Sequence, residues 1–269
     1  AAGHVAEDIF KFQSIYEKLK SLGVESYVFQ SKEYAYSAYS KALVREAQIC
    51  PFAGLKQGLN RMADKISQVN SQAYFFFYYD KIDSTCHLHG PDSRELETKM
   101  EYFFDSLEEF FFKKLENKIP DTLVIFSADH GQVQVNPQTT IYIDREIKQI
   151  RKSIKPGKRD NEILAPAGSA RDLFLHVKEE ALDGLHSNLQ ELLLNKAQVF
   201  KTSQLLDEGI FGSNPSNLLK ERLGNLVILP LEGESVWWSE GGKYKMNFKG
   251  HHGGLTRNEM EIPFLLLEI

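Results

Sequence analysis

Three short stretches of this chain carry residues able to hold metal ions or move protons: IDSTCHLHGPDS, FSADHGQ and KGHHGG. In the first, Asp83 and His87 stand four residues apart just after an apolar run. That spacing turns a carboxylate and an imidazole to the same side of a helical turn. The alternative for this pair is a capping aspartate and a surface histidine. In the second stretch, Asp129 and His130 directly follow another short apolar run and precede Gly131, which permits a tight turn. Here the alternative is an aspartate capping the next helix beside a solvent-facing histidine. In the third, His251 and His252 lie between glycines, on backbone that can approach a site closely. Together the residues singled out offer two aspartates and three or four histidines, a mixed oxygen and nitrogen donor set. Such a set suits zinc and also serves manganese or iron. Two such ions ~4 Å apart would clamp the attacking and leaving oxygens of a displacement at phosphorus.

The elements that must position these residues are legible as an alternation. Apolar residues recur at three- and four-residue spacing from Val5 to Leu22 (Ile9, Phe12, Ile15, Tyr16, Leu19), which predicts a helix stopped by Gly23. A strand over Val24–Phe29 follows. A helix is expected over Leu55–Val69, then a strand over Ala73–Tyr79 whose aromatic run suits cover on both faces. A long helix from about Ser93 to Asn117, closed by Pro120, leads to a strand over Thr122–Ser127. Strands alternating with helices imply parallel pairing, right-handed crossovers and helices on both faces. Ligands collect at the carboxyl ends of strands in such sheets, and the first two motifs stand there. The stretch from Glu146 to Gly168 is basic, then rich in Pro and Gly, and reads as a long surface connection. Beyond it come a strand at Arg171–Val177, a helix at Lys178–Asn195, a strand at Leu226–Leu229 and a closing strand at Ile262–Leu267. Arg171 and Lys249, beside strand ends or the third motif, are either phosphate contacts or, as the general distribution of charge favours, surface residues.

Composition narrows the function classes. A net charge of -5 supplies no general attraction to nucleic acid or anionic membranes, so no nucleic-acid-binding surface is expected and a phosphate-bearing substrate must be held by a local site. No run approaches the ~18 apolar residues of a membrane helix, so no membrane segment is expected. The opening AAGHVAEDIF lacks the basic and apolar regions of a signal peptide, and the average composition suits a soluble, cytoplasmic-type protein. Cys50 and Cys86 form no metal-binding or disulfide pattern.

Taken in order, D-S-x-x-H-x-x-G-P-D, S-x-D-H-G and G-x-H-G resemble the motifs of the alkaline phosphatase superfamily, in its type I phosphodiesterase and nucleotide pyrophosphatase branch. The resemblance runs from about Phe12 onward and is only general between Gln132 and Lys249. It implies a three-layer α/β/α sandwich with a mostly parallel sheet, formed by a catalytic domain over residues 1–269 with an insertion or cap around 144–245. It implies that Asp83, His87 and His252 serve one zinc ion and Asp129 and His130 a second; His252 is preferred to His251 because it holds the third place of G-x-H-G. The implied reaction is hydrolysis of a phosphodiester or pyrophosphate bond in a small-molecule phosphate ester such as a nucleotide. A Thr or Ser attacks phosphorus, and water then releases the covalent phosphoryl-enzyme. Two departures matter. Cys86 occupies a place that is usually glycine, and a neutral packing role is expected for it. The family's first-strand aspartate and its Thr or Ser nucleophile are not recognisable: Ser31, Ser37 and Ser40 follow the wrong strand, so the domain is expected to be incomplete at its amino-terminal end and inactive alone. A non-catalytic metal-binding or interaction module is the alternative.

Overall fold

The computed structural model describes residues 12–116, 121–157 and 162–269. The chain divides into two units, the first built from residues up to Asp83 with Glu97–Phe126 and Leu265–Ile269, the second from Ser84–Leu96 and Ser127–Phe264.

In the first unit, α1 (Ile15–Ser21) begins at a capping box: Ser14 Oγ accepts from the Glu17 N–H at 3.2 Å, and the Glu17 carboxylate accepts from the Ser14 N–H at 2.7 Å. Gly23, at φ 79°, ends the turn. The helix is therefore shorter than the apolar spacing predicts, because Phe12 precedes the cap; residues 5–11 of the expected helix lie outside the described residues. There follow β1 (Glu25–Ser31), α2 (Ala38–Leu43), β2 (Gln48–Phe52), α3 (Leu55–Gln68) and β3 (Ala73–Phe77). β1 pairs in parallel with β2 and β3, giving the order β2-β1-β3. Alternation along β1 sends Val28 to one face, with Tyr16 of α1 and Val44, and Phe29 to the other, with Phe52, Phe77 and Met62 of α3. Helices thus cover both faces of this sheet, the layering the alternation predicts. On α3, Leu55, Leu59, Ala63 and Ile66 form the buried stripe.

Next come α4 (Lys81–His89) and α5 (Arg94–Leu107), a π-helical turn at Glu108–Phe112, α6 (Lys113–Leu115) and β4 (Leu123–Ser127). The single helix expected from Ser93 is thus interrupted, and its expected end at Asn117 lies outside the described residues. Phe103, Leu107, Phe111 and Leu115 recur every four residues and share one cluster with α3. Each step of four overshoots an α-helical turn by about 40°, and the wider turn takes up that drift. β3 also departs from expectation. Phe75 and Phe77 enter the core, while Tyr74 and Phe76 are each 37% exposed, so among the described residues only one face is well covered.

The second unit begins with β5 (Val133–Gln134), β6 (Ile141–Tyr142), α7 (Ile143–Glu146) and α8 (Ile150–Ser153). It continues through β7 (Ala167–Ser169), β8 (Asp172–Leu175), α9 (Leu182–Leu192), β9 (Ala197–Lys201), α10 (Thr202–Asp207) and α11 (Asn217–Arg222). β10 (Leu226–Pro230), β11 (Val236–Trp237), β12 (Gly250–His251) and α12 (Arg257–Met260) complete it. Its main sheet, in the order β7-β8-β10-β9, is antiparallel. Leu173, Leu175 and Ile228 of that sheet pack with Leu185 and Leu189 of α9. The stretch after Glu146 is no surface connection throughout: Ile150 of α8 and Ile154, which follows the helix and bridges Val177, are buried in the same cluster. A last strand, β13 (Phe264–Glu268), pairs with β4. Among the described residues no helix is long and apolar enough to cross a membrane.

Candidate metal centre

α4 begins four residues after the end of β3 and carries Asp83 and His87 one turn apart. His252 directly follows β12. One ligand atom from each of Asp83, His87 and His252 can be chosen so that all lie within 4.8 Å of one another, a group able to hold a metal ion. Backbone packing creates this convergence. β12 lies against the end of α4: the Lys249 N–H donates to the His87 carbonyl at 2.8 Å, and a Cβ at Gly250 would sit 2.4 Å from the Cys86 carbonyl oxygen. Only glycine fits there, which gives the first glycine of the third motif a steric reason. Cys86 itself is buried and forms no disulfide with Cys50.

The donor chemistry fits a metal. His87 Nδ1 lies 2.8 Å from the Gly250 carbonyl oxygen. A carbonyl only accepts, so Nδ1 carries the proton and the basic lone pair is on Nε2, the tautomer a ligating histidine needs. His130 Nδ1 makes the same kind of contact to the Gly131 carbonyl at 3.0 Å.

Asp129 and His130, after β4, are not part of the three-residue group, yet they adjoin it. The His130 ring stacks on that of His252 with centroids 3.6 Å apart, and His130 Nε2 is 3.6 Å from Asp129 Oδ1. The His252 ring is 5.1 Å from that of His87. His251 differs. Its ring is turned so that Nε2 meets the Met246 sulfur at 3.1 Å, and burial, reinforced by His87, His252 and Arg171, pushes its pKa down to about 4. His89 faces Glu95 at 3.7 Å on a side chain that is 41% exposed.

Two expectations about neighbouring residues change. Gly131 is required less for a turn than for contact, since a Cβ there would lie 2.1 Å from the Asn258 carbonyl oxygen. Arg171 is neither a phosphate contact nor a surface charge. It is fully buried and donates two hydrogen bonds, of 2.9 and 2.8 Å, to the Glu259 carboxylate. A buried charge needs such a partner, and this one lies 88 residues away in sequence, beyond what local reading can pair. Lys249 is exposed. A cleft of about 520 Å³ opens beside the ends of the first two motifs, lined by Pro91, Asp92, Gln132, Gln134, Glu232 and Asn258.

The chain belongs to the type I phosphodiesterase / nucleotide pyrophosphatase family, whose sequence pattern matches residues 15–255, within the alkaline phosphatase superfamily. Its α/β fold is alkaline-phosphatase-like. An inactive variant of murine ectonucleotide pyrophosphatase / phosphodiesterase 5 (ENPP5), in complex with AMP, superposes with a TM-score of 0.62 at 17% identity over 94% of this chain and 62% of that one. Human ENPP5 gives 0.63 at 15% identity over 94% and 62%. Phosphonoacetate hydrolase from Sinorhizobium meliloti, in complex with phosphonoformate, gives 0.61 at 14% identity over 94% and 67%. The chain thus spans less than two thirds of the length of the ENPP5 structures. No curated protein sequence matches it.

Proposed function

We propose that this chain is the metal-binding part of a hydrolase acting on phosphodiester or pyrophosphate bonds of a small-molecule phosphate ester, a nucleotide being the favoured class. The observation that carries this reading is the convergence of Asp83, His87 and His252. These three would hold one divalent ion and Asp129 with His130 a second, zinc by the donor set, with manganese and iron served by the same donors. When bound, such ions neutralise charge developing on phosphoryl oxygens. The Gly250 carbonyl keeps His87 in its ligating tautomer, and β12 holds the His252 loop against α4. The AMP bound by the ENPP5 variant and the phosphonoformate bound by phosphonoacetate hydrolase support a small phosphorus-containing anion as substrate. The polar cleft beside the motifs suits the remainder of such a molecule. We read residues 1–269 as one catalytic domain in which about 144–245 form an insertion or cap. The average composition supports a soluble, cytoplasmic setting.

No nucleophile is assigned, and this favours a second reading, a metal-binding module without catalysis. Ser37 caps α2 by accepting from the Ser40 N–H at 3.1 Å, Ser40 Oγ donates to the Tyr34 carbonyl at 2.8 Å, and Ser31 Oγ accepts from the Glu33 N–H at 3.3 Å. All three hydroxyls thus serve local structure. Metal analysis of the purified chain, with turnover of an aryl phosphodiester in the same preparation, separates the readings. Bound zinc with little or no turnover is expected of this chain alone. Two tightly bound ions with robust turnover, abolished by one alanine substitution within the chain, would show that it holds its own nucleophile. A chain that binds no zinc would sink both readings.

A further inference from the structure

Of the three grouped ligands, Asp83 and His87 are fixed by one helix, while His252 stands on a loop, so its position depends on what holds that loop. The loop rests on the tip of the β7–β8 hairpin, whose closing pair is Ser169 and Asp172. Ser169 Oγ lies 2.5 Å from Asp172 Oδ1 and 3.2 Å from the His252 carbonyl oxygen, 83 residues away in sequence. The hairpin holds the hydroxyl in place: it accepts from the Arg171 N–H at 3.1 Å, and Asp172 Oδ1 accepts from the Ser169 N–H at 2.8 Å.

The fit is steric as well as polar. A Cβ at Gly253, whose φ is +118°, would lie 2.6 Å from Ser169 Oγ and 2.8 Å from Asp172 Oδ1. One residue further, the Gly254 N–H donates to Glu259 Oε1 at 3.0 Å, and Glu259 is itself held by the fully buried Arg171. The backbone leaving His252 is therefore seated at two successive residues on groups that the hairpin and its buried ion pair supply.

We propose that Ser169 and Asp172 are positioning residues for the metal centre: they set, through the backbone of His252 and Gly253, where the His252 imidazole meets Asp83 and His87. The inference rests on the metal-binding reading above. Partners that orient ligands are worth about 10- to 100-fold in metal affinity, since metal bonds tolerate little displacement.

The test measures zinc affinity of the full chain by competition with a chromophoric chelator, and records the visible absorption spectrum of the cobalt(II)-loaded chain, which reports ligand geometry. Ser169→Ala and Asp172→Asn are each expected to weaken zinc binding ~10- to 100-fold and to shift the cobalt bands, with thermal unfolding of the metal-free chain little changed. Ser169→Thr, which keeps the hydroxyl, restores affinity. If Ser169→Ala binds zinc like the parent with an unchanged cobalt spectrum while His252→Ala loses affinity, the positioning role is wrong and the metal centre stands. Equal losses in Ser169→Ala and Ser169→Thr would also overturn it, because packing and not the hydroxyl would then matter. If His252→Ala binds as tightly as the parent, the metal reading fails and this proposal with it. Should Ser169→Ala not fold, Asp172→Asn is judged by the same criteria.

Discussion

At the scale of single residues, the four histidines of the first and third motifs are chemically alike and structurally distinct. His87 has its Nδ1 proton committed to the Gly250 carbonyl, and His252 lies between the rings of His87 and His130. His251 points Nε2 at a thioether, and His89 faces Glu95 on the exposed side of α4. We therefore expect His87→Ala and His252→Ala to weaken zinc binding more than ~100-fold, beyond the usual cost of losing an orienting partner, and His89→Ala to leave it nearly unchanged. His251→Ala should fall between, because β12 must repack around the gap. Calorimetric titration of the four variants checks the order, and equal losses at all four would show that the geometry does not discriminate among them. These residues were legible because motif spacing is local. His252 was separable from His251 only by the resemblance, since two adjacent histidines among glycines carry no further signal of their own.

At the scale of elements, legibility followed the range of the interaction. β1, α3 and β4 were readable because their apolar periodicity is short-range, and so was the parallel pairing of β1 with β2 and β3, which alternation implies. The antiparallel order β7-β8-β10-β9 was not: although β7 and β8 form a hairpin, β10 joins β8 and β9 across intervening helices. The helix expected from Val5 missed the capping box at Ser14, although Ser-x-x-Glu stands in the sequence, because the apolar spacing continues through the cap. Ser14→Ala should accordingly cost about 1 kcal/mol of stability, read as a shift in denaturant midpoint. The Arg171–Glu259 pair ties the hairpin tip to α12 and leaves a buried charge when broken. Arg171→Ala should cost ~3–5 kcal/mol, and the loss should appear in urea unfolding of the metal-free chain. Burial pushes the Glu259 carboxyl up, but hydrogen bonds and charge from Arg171, with the bonds from Thr256 and Gly254, outweigh it and hold it below the usual glutamate value of 4.5. A depressed folded-state pKa contributes stability at neutral pH that is lost as pH falls through that value. Acid unfolding of the Glu259→Gln variant should therefore be shallower than that of the parent.

At the scale of the whole molecule, stability has a second, alkaline edge set by tyrosines of the first unit. Burial, reinforced by Tyr74, raises Tyr16 from 10.0 to about 12. Burial is likewise the leading cause of the raised values of Tyr34, Tyr74 and Tyr79, with Asp80 adding to it at Tyr34, and Tyr102 and Asp80 at Tyr79. Two of these rings serve the core between strands and helices: Tyr16 joins Val28 and Val44, and Tyr79 stacks on Phe103 with centroids 5.4 Å apart. The sign follows from proton counting. Between the ordinary tyrosine value and the raised one, the unfolded chain has released protons that the folded chain still binds, so stability falls as pH rises through that window. Below pH 10 the contribution of Tyr16 is fully present, and by about 12 it is lost. We expect the thermal midpoint to drop steeply over that interval, in step with the rise of tyrosinate absorbance. Tyr16→Phe removes the ionisable oxygen while keeping the ring, so it should flatten the alkaline fall without reproducing it at neutral pH. A parent protein whose midpoint stays level from pH 10 to 12 would show that these tyrosines ionise in the folded chain as freely as in the unfolded one.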